Sequence, residues 1–404
     1  MQTNSVNGAA RIPRGIWVLG FVSLLMDVSS ELIHSLLPVF LLVGLGTSAL
    51  TIGVIEGVAE STALVVKVFS GTLSDYLGRR KILAVIGYGL GAVSKPLFAI
   101  ASTAGMVFAA RFVDRVGKGV RGAPRDALIA DLTPPQSRGA AYGLRQALDT
   151  LGAFIGPLLA MGGMLLWSND FRTVFWVAAI PAGLAVLLLA SGVREPKRST
   201  PERRTNPIHW REIRRLSRAY WWVVAVGAAF SLARFSEAFL VLRAQQAGLP
   251  LARVPLVLVG MNLVYAVSAY PFGRLSDGAS HKRLLMLGLC VLVGADSVLA
   301  WSDTGPALAV GIGLWGLHLG ITQGLLATMV ADTAPADLRG TAFGFFNLLC
   351  GVALLIASGL AGLLWDRLGP PAPFCAGALI GGVALALVAF GGTRDRPRAT
   401  DADA

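Results

Sequence analysis

Charge is scarce in this chain. Of 404 residues, 14% are Asp, Glu, Lys or Arg, against about 25% in soluble domains, and that deficit excludes an ordinary water-soluble globule. Acidic residues are scarcer than basic ones: 23 Asp and Glu stand against 35 Lys and Arg, giving a net charge of +12. Cysteine is nearly absent. Cys290, Cys350 and Cys375 lie far apart in apolar runs, so neither a disulfide framework nor a cysteine metal site is expected. The histidines His34, His209, His281 and His318 lack metal-ligand spacing, and there is no Gly-x-Ser-x-Gly, Walker loop or His-Glu-x-x-His. These gaps argue against the common enzymes and against a self-contained ATP-driven pump. No catalytic residue, metal or cofactor is expected, and energy for any transport must come from a gradient.

What the chain has is apolar length, with 54% hydrophobic residues, 48 Gly and a mean hydropathy of +0.66. Residues 1–14 are polar, end in Arg11 and Arg14, and carry no small-residue cleavage site, so the first apolar segment is expected to remain as a helix. Spans fall at 15–44, 50–73, 82–101, 105–132, 139–167 and 171–192. Six more fall at 220–247, 254–275, 284–300, 306–330, 340–365 and 373–390. The first exceeds the roughly 20 residues a bilayer demands, so a tilted or protruding helix is expected. Between the sets lies a polar, Pro-bearing stretch rich in Arg. The expected architecture is an all-α integral membrane protein of 12 transmembrane helices: a six-helix bundle over 1–192, a basic linker over 193–218, and a second bundle with its tail over 219–404.

The basic excess is placed, not scattered. Arg11, Arg14, Arg79, Arg80, Lys81, Arg138, the linker, Lys282, Arg283, Arg339, Arg394, Arg396 and Arg398 share one side of the bilayer, while the other holds little beyond Arg172, Arg253 and Arg367. The positive-inside rule then puts both termini in the cytoplasm of a multi-pass inner-membrane protein. Nucleic acid is not needed to explain the charge.

The two sets of spans repeat each other's marks. Gly71-Thr-Leu-Ser-Asp75 recurs as Gly273-Arg-Leu-Ser-Asp277, and Ala130-Asp131 through Arg138-Gly139 and Gly143 recurs as Ala331-Asp332 through Arg339-Gly340 and Gly344. Parallel repeats of this kind put a substrate site between the bundles, near the midplane.

The fourth span breaks the apolar pattern with Arg111, Asp114, Arg115, Lys118, Arg121, Arg125 and Asp126. Each such charge costs about 2.5–3.5 kcal/mol on insertion scales, so the span requires partners or a wet cavity. Arg111, Arg115 and Lys118 share one helix face; Asp114, Lys118, Arg121 and Arg125 share a neighbouring one. Asp114 compensates only part of this, and the span remains net positive. Further cations inside spans are Lys67, Lys95, Arg145, Arg234 and Arg243, with Asp149 and Glu237 at helical pairing distance of Arg145 and Arg234. Asp27, Glu31 and His34 form a stripe on the first span, and Glu56, Glu60 and Lys67 one on the second, where Lys67 is a possible structural partner of Glu60.

These motifs resemble the major facilitator superfamily over essentially the whole chain. Gly71-Thr-Leu-Ser-Asp75-Tyr-Leu-Gly78-Arg79-Arg80-Lys81 is similar to the family's signature between its second and third helices, with a degenerate copy at Gly273 and Asp277. Arg111, Gly117 and Gly119 resemble the fourth-helix signature, whose Arg is implicated in proton coupling, with Arg115 where that pattern has Gly. Gly143, Gly152 and Gly156-Pro157 resemble the fifth-helix motif of antiporters, although the closing pair stands at Gly162-Gly163.

The resemblance implies a secondary transporter working by alternating access on a small-molecule substrate, with protons and the lipid bilayer as its other partners and a monomer as its state. Proton-coupled efflux of a small organic molecule or drug is expected. The alternative is a proton-linked carrier, importing or exporting, of an anionic metabolite or siderophore. A channel or receptor on the same bundle is the different class. Expected proton-coupling residues are Asp27, Glu31, Glu60, Arg111 and Asp114. The expected substrate set is His34, Glu56, Lys118, Arg121, Arg234, Glu237, Asn262 and Gln323. Conformational switching is assigned to Gly71, Asp75, Gly78, Arg79, Arg80 and Asp277, with Gly152, Gly156 and Pro157 closing an interface between the bundles.

Overall fold

The computed structural model describes residues 12–134, 137–195, 215–278, 280–301, 304–335 and 338–390; for Thr72, Asp75, Ser276, Asp277, Gly278 and Arg339 only the backbone is described. The chain is all-helical among these residues. The first six spans are α1 (Arg14–His34) with its extension α2 (Leu37–Val39), then α3 (Ala49–Leu77), α4 (Arg80–Ile100), α5 (Ala104–Leu132), α6 (Arg138–Leu166) and α7 (Phe171–Gly192). The last six are α8 (Arg218–Ala233) with α9 (Ala238–Gln246), then α10 (Leu256–Gly278), α11 (His281–Trp301), α12 (Gly305–Thr333), α13 (Arg339–Leu368) and α14 (Ala372–Phe390). Eleven spans are long and apolar enough to cross a membrane among the described residues. The remaining long helix, α5, is the charged one.

Two spans expected to be continuous are broken. The first does not simply tilt: it stops at Ser35-Leu36, restarts with Pro38 in the first turn of α2, and ends in a π-helical turn, Phe40–Gly44. Pro38 has no N–H to continue the ladder, and the π-helical turn closes where Leu45 N–H reaches Phe40 O at 2.9 Å. The seventh span breaks at Arg234, whose backbone is extended (φ −105°, ψ 95°). Side chains fill the gap there: Ser236 Oγ accepts from Ala238 N–H at 3.2 Å, and Ser236 N–H donates to Ser358 Oγ at 3.2 Å.

The signature between the second and third spans is also shifted from the expected turn. Gly71 to Asp75 lie within α3, and the chain reverses at Gly78, which takes the left-handed conformation (φ 63°) that glycine adopts without a Cβ penalty. Gly71 instead faces Ala123 of α5, with 3.4 Å between a Cβ built on it and that side chain.

The apolar core divides unequally along the bundle. At the end away from the basic loops one cluster joins both sets of spans, with Leu32, Phe40, Ile52, Phe98 and Phe175 beside Phe235, Phe239, Trp315 and Phe374. Near the basic loops there are two separate clusters. Ile16, Leu19, Tyr88, Leu128 and Leu189 belong to the first six spans; Tyr220, Leu285, Val330 and Phe346 belong to the last six. The two sets are therefore sealed together at one end.

That seal is built on backbone contact between α3 and α13. A Cβ on Gly53 would lie 2.1 Å from Ser358 O, and one on Gly362 would lie 2.4 Å from Ala49 O, so only glycine permits this approach. At the tip, Asp366 of α13 accepts from Ala49 N–H (3.0 Å) and Leu50 N–H (2.9 Å), capping α3 across the two sets. A carboxylate there satisfies orphan donors and complements the helix dipole.

Gly152 and Gly156 serve a different contact from the one expected. A Cβ on Gly152 would lie 2.7 Å from Leu24 O, and one on Gly156 2.7 Å from Val28 O. Both notches seat α6 against α1 within the first six spans. They do not close an interface between the bundles, because the glycine-bearing face of α6 points at its own neighbour.

Candidate functional site

The charges of α5 meet partners from three other helices. Arg111, Asp114 and Arg115 are 2–3% exposed, and so are as deeply buried as core leucines. Arg111 Nη2 lies 2.6 Å from Glu56 Oε2 of α3, and Lys95 Nζ of α4 lies 2.7 Å from Asp114 Oδ1. Arg115 Nη1 lies 3.1 Å from Glu60 Oε1, and its Nε 3.7 Å from Asp114 Oδ2. Arg111 reaches Glu60 and Asp114 at 3.9 Å each. His34 extends the chain, with Nε2 3.6 Å from Glu56 and Nδ1 3.5 Å from Glu31. Lys95 also donates to Ser30 Oγ at 3.1 Å, and Ser94 Oγ donates to Asp114 at 3.3 Å. Acid and base thus alternate from Glu31 on α1 to Lys95 on α4.

Helical spacing and glycine place these groups. Glu56 and Glu60 lie one turn apart on α3, opposite the face formed by Arg111, Asp114 and Arg115 on α5. Gly117 lets α5 touch α4: a Cβ there would lie 2.6 Å from Gly87 O. Gly119 does the same toward α3, where the clash would be with Val66 at 2.6 Å. Without these notches the side chains would stand too far apart to pair.

Beside this network, on the basic-loop side of the apolar seal, lies a cavity of about 400 Å³. Its wall from the first six spans carries Asp27, Glu31, Glu60, Lys67, Lys118, Arg121, Arg125, Gln146, Asp149 and Thr150. Asn262 and Tyr265 of α10 face them from the last six. Each wall carboxylate has a basic neighbour: Asp27 has Arg121 at 4.0 Å, Glu31 has His34, Glu60 has Arg115, and Asp149 has Arg145 at 2.6 Å. Arg121 also lies over the Tyr88 ring, 4.9 Å from its centroid. Arg125 is held by Asp126 at 3.1 Å and Ser23 Oγ at 3.2 Å.

Most of the expected proton and substrate residues divide between these two places. Asp27, Glu31, Glu60, Lys118, Arg121 and Asn262 line the cavity. Gln323 is exposed and off the wall, accepting from the wall residue Tyr265 Oη at 2.8 Å. His34, Glu56, Arg111 and Asp114 belong to the buried network and are not on the wall. Arg234 and Glu237 flank the break in the seventh span, off the wall, and no ion pair joins them among the described residues. The helical pairing expected of them is lost because the helix stops between them. The pairing of Glu60 with Lys67 that the spacing allows is not made; Arg115 takes that place.

Arg80 pairs with Asp131 at 2.5 Å and donates to Ala127 O at 3.0 Å, tying α4 to the end of α5, while Arg79 is exposed. The side chains of Asp75 and Asp277 lie outside the described residues. Pro157 sits inside α6 next to the Gly156 notch. Sequence reasoning missed Tyr265 and Gln146, since a lone aromatic or amide in a span resembles any packing residue. Arg145 and Asp149 were legible only as a local pair.

An all-helical bundle of twelve spans, sealed at one end around a polar cavity contributed by both sets, defines a multi-pass membrane transporter. The Major Facilitator Superfamily model matches residues 19–350 and 238–403, and the chain belongs to that family. It is similar to an uncharacterized MFS-type transporter of Methanocaldococcus jannaschii, 30% identical over 96% of this chain and 98% of that protein. The quinolone resistance protein NorA of Staphylococcus aureus is 24% identical, covering 92% of this chain and 96% of its own. Among solved structures, the nucleoside transporter NupG superposes with a TM-score of 0.77 at 12% identity, over 93% of this chain and 98% of that one. The last likeness is one of fold.

Proposed function

We propose that the protein is a proton-coupled secondary transporter that exports small organic molecules by alternating access, with residues 1–192 and 219–404 as the two moving bundles and 193–218 as a cytoplasmic linker. Both termini lie in the cytoplasm in this reading, following the basic loops. One observation carries the coupling. Of the wall carboxylates, Asp27 is the most loosely held: its basic neighbour stands at 4.0 Å, and no side-chain hydrogen bond holds it among the described residues. Glu60 and Asp149 sit at 3.1 and 2.6 Å from theirs. A carboxylate in the cavity that trades a proton for a distant guanidinium can gain and lose it as the cavity changes sides. Export is supported by NorA, a drug-resistance protein by name and similar along nearly its whole length.

A second reading, a carrier of anionic metabolites, is favoured by the lysines of the wall, which lack carboxylate partners among the described residues. Transport into inside-out vesicles, with a panel of drugs and organic anions and an imposed pH gradient, tests the coupling. At least one compound should accumulate only while the vesicle interior is kept acidic. Saturable flux that survives collapse of the gradient would contradict it.

A further inference from the structure

Two lysines of the cavity wall stand without a close anionic partner among the described residues. Its four carboxylates face Arg121, His34, Arg115 and Arg145, and the wall cation Arg125 is taken by Asp126. Lys67 and Lys118 face the cavity with exposed side chains and have neither an ion-pair nor a hydrogen-bond partner among the described residues. They lie on one stretch of wall. The stem of Lys67 rests on Gly122 of α5, with a Cβ there 3.7 Å from its Cε, and Gly122 is one helical turn from Lys118. Opposite, α10 brings only the neutral groups of Asn262 and Tyr265.

We infer that this stretch is a subsite for a doubly negative organic group, a phosphate monoester or a pair of adjacent carboxylates, carried on a small apolar body. The inference rests on the cavity being the substrate site and names the charge that the substrate brings to it. Two ammonium groups without close carboxylate partners attract a dianion by field as well as by contact. A monoanion leaves one lysine unanswered, and a cation meets two like charges. Tyr265 and Asn262 can bond the uncharged part of the ligand, which makes the site bipartite: charge from the first six spans, neutral hydrogen bonding from the last six.

The test uses one aromatic body with different charges on the purified full-length protein in detergent, reading the concentration dependence of the melting temperature. Phenyl phosphate and phthalate are the dianionic probes, benzoate the monoanion and benzyltrimethylammonium the cation. The two dianions also separate phosphate from dicarboxylate recognition. Saturable stabilisation is expected from at least one dianion, weaker from benzoate and absent with the cation. Lys67→Gln or Lys118→Gln should each weaken the dianion about tenfold, a typical loss for one charge-assisted hydrogen bond. The double variant should remove the shift, and Lys118→Arg should retain it.

Equal or better stabilisation by the cation, or a dianion shift that survives in the double variant, overturns the subsite. Because this readout needs neither a gradient nor a direction, its failure is distinct from failure of proton-coupled export. A dianion shift without gradient-driven flux sinks the coupling alone; gradient-driven flux of cationic drugs without a dianion shift sinks the subsite alone.

Discussion

The first six spans and the last six use their buried ionisable groups in opposite ways. In the first set, Glu56, Lys95, Arg111, Asp114 and Arg115 bond to one another across three helices. In the last set, the buried groups Arg243, Asp296 and His318 bond to backbone oxygens, a ring N–H and the side-chain amide of Gln246. Arg243 donates to Leu299 O at 2.9 Å, Asp296 accepts from Trp315 Nε1 at 3.0 Å, and His318 Nδ1 lies 2.9 Å from Gly288 O while its ring stacks on Phe230. These partners carry no net charge to exchange. Glu60 lies between two guanidiniums, Arg115 at 3.1 Å and Arg111 at 3.9 Å, so small helix movements can exchange them. On this difference the proposed coupling is placed in the first six spans, with the last six as the opposing wall.

The contrast breaks most sharply where one partner of the network is removed. Arg111→Leu leaves Glu56 buried and without its guanidinium, a loss of about 3–5 kcal/mol, read as a fall in melting temperature and folded yield. Replacing both partners, Arg111→Leu with Glu56→Leu, should recover much of that stability while transport stays lost. Next in size is Gly156→Leu, which drives a side chain into Val28 O of α1 and costs about 1–3 kcal/mol by overpacking. Its defect should appear as reduced stability of the protein at rest, because the contact lies inside the first six spans.

A smaller effect is expected at the seal. Asp366→Ala leaves the Ser48 cap but removes the acceptor of the Ala49 and Leu50 N–H groups of α3, worth about 0.5–2 kcal/mol. The sealed end should open more often. A cysteine placed at the buried Ile52 position should then react with an impermeant maleimide about twofold to thirtyfold faster. Unchanged labelling would show that the glycine contacts alone hold the seal. The smallest effect is assigned to the last six spans: Asp296→Asn keeps an acceptor for Trp315 and should leave gradient-driven flux near the unaltered level.

Much of this was legible in the sequence. Apolar length marked the spans to within a few residues, the charges of α5 announced a network, and Pro38 was a visible signal for the break in the first span. Pairing across helices was not legible, because spacing fixes which residues share a face but not which helix that face meets. Glu60 therefore went to Arg115 instead of Lys67, and Gly156 met α1 instead of the opposite bundle. The break at Arg234-Phe235-Ser236-Glu237 contains neither Gly nor Pro; it depends on Ser358 of α13, a partner more than a hundred residues away.

Coupling through the first six spans is tested most directly by Asp27→Asn in reconstituted vesicles, comparing two fluxes of the same substrate. Gradient-driven accumulation requires a proton on the coupling residue; counterflow exchange between loaded vesicles requires only binding and the conformational cycle. Loss of accumulation with exchange preserved is the expected result. Full proton-driven accumulation by the Asp27→Asn protein would contradict the account.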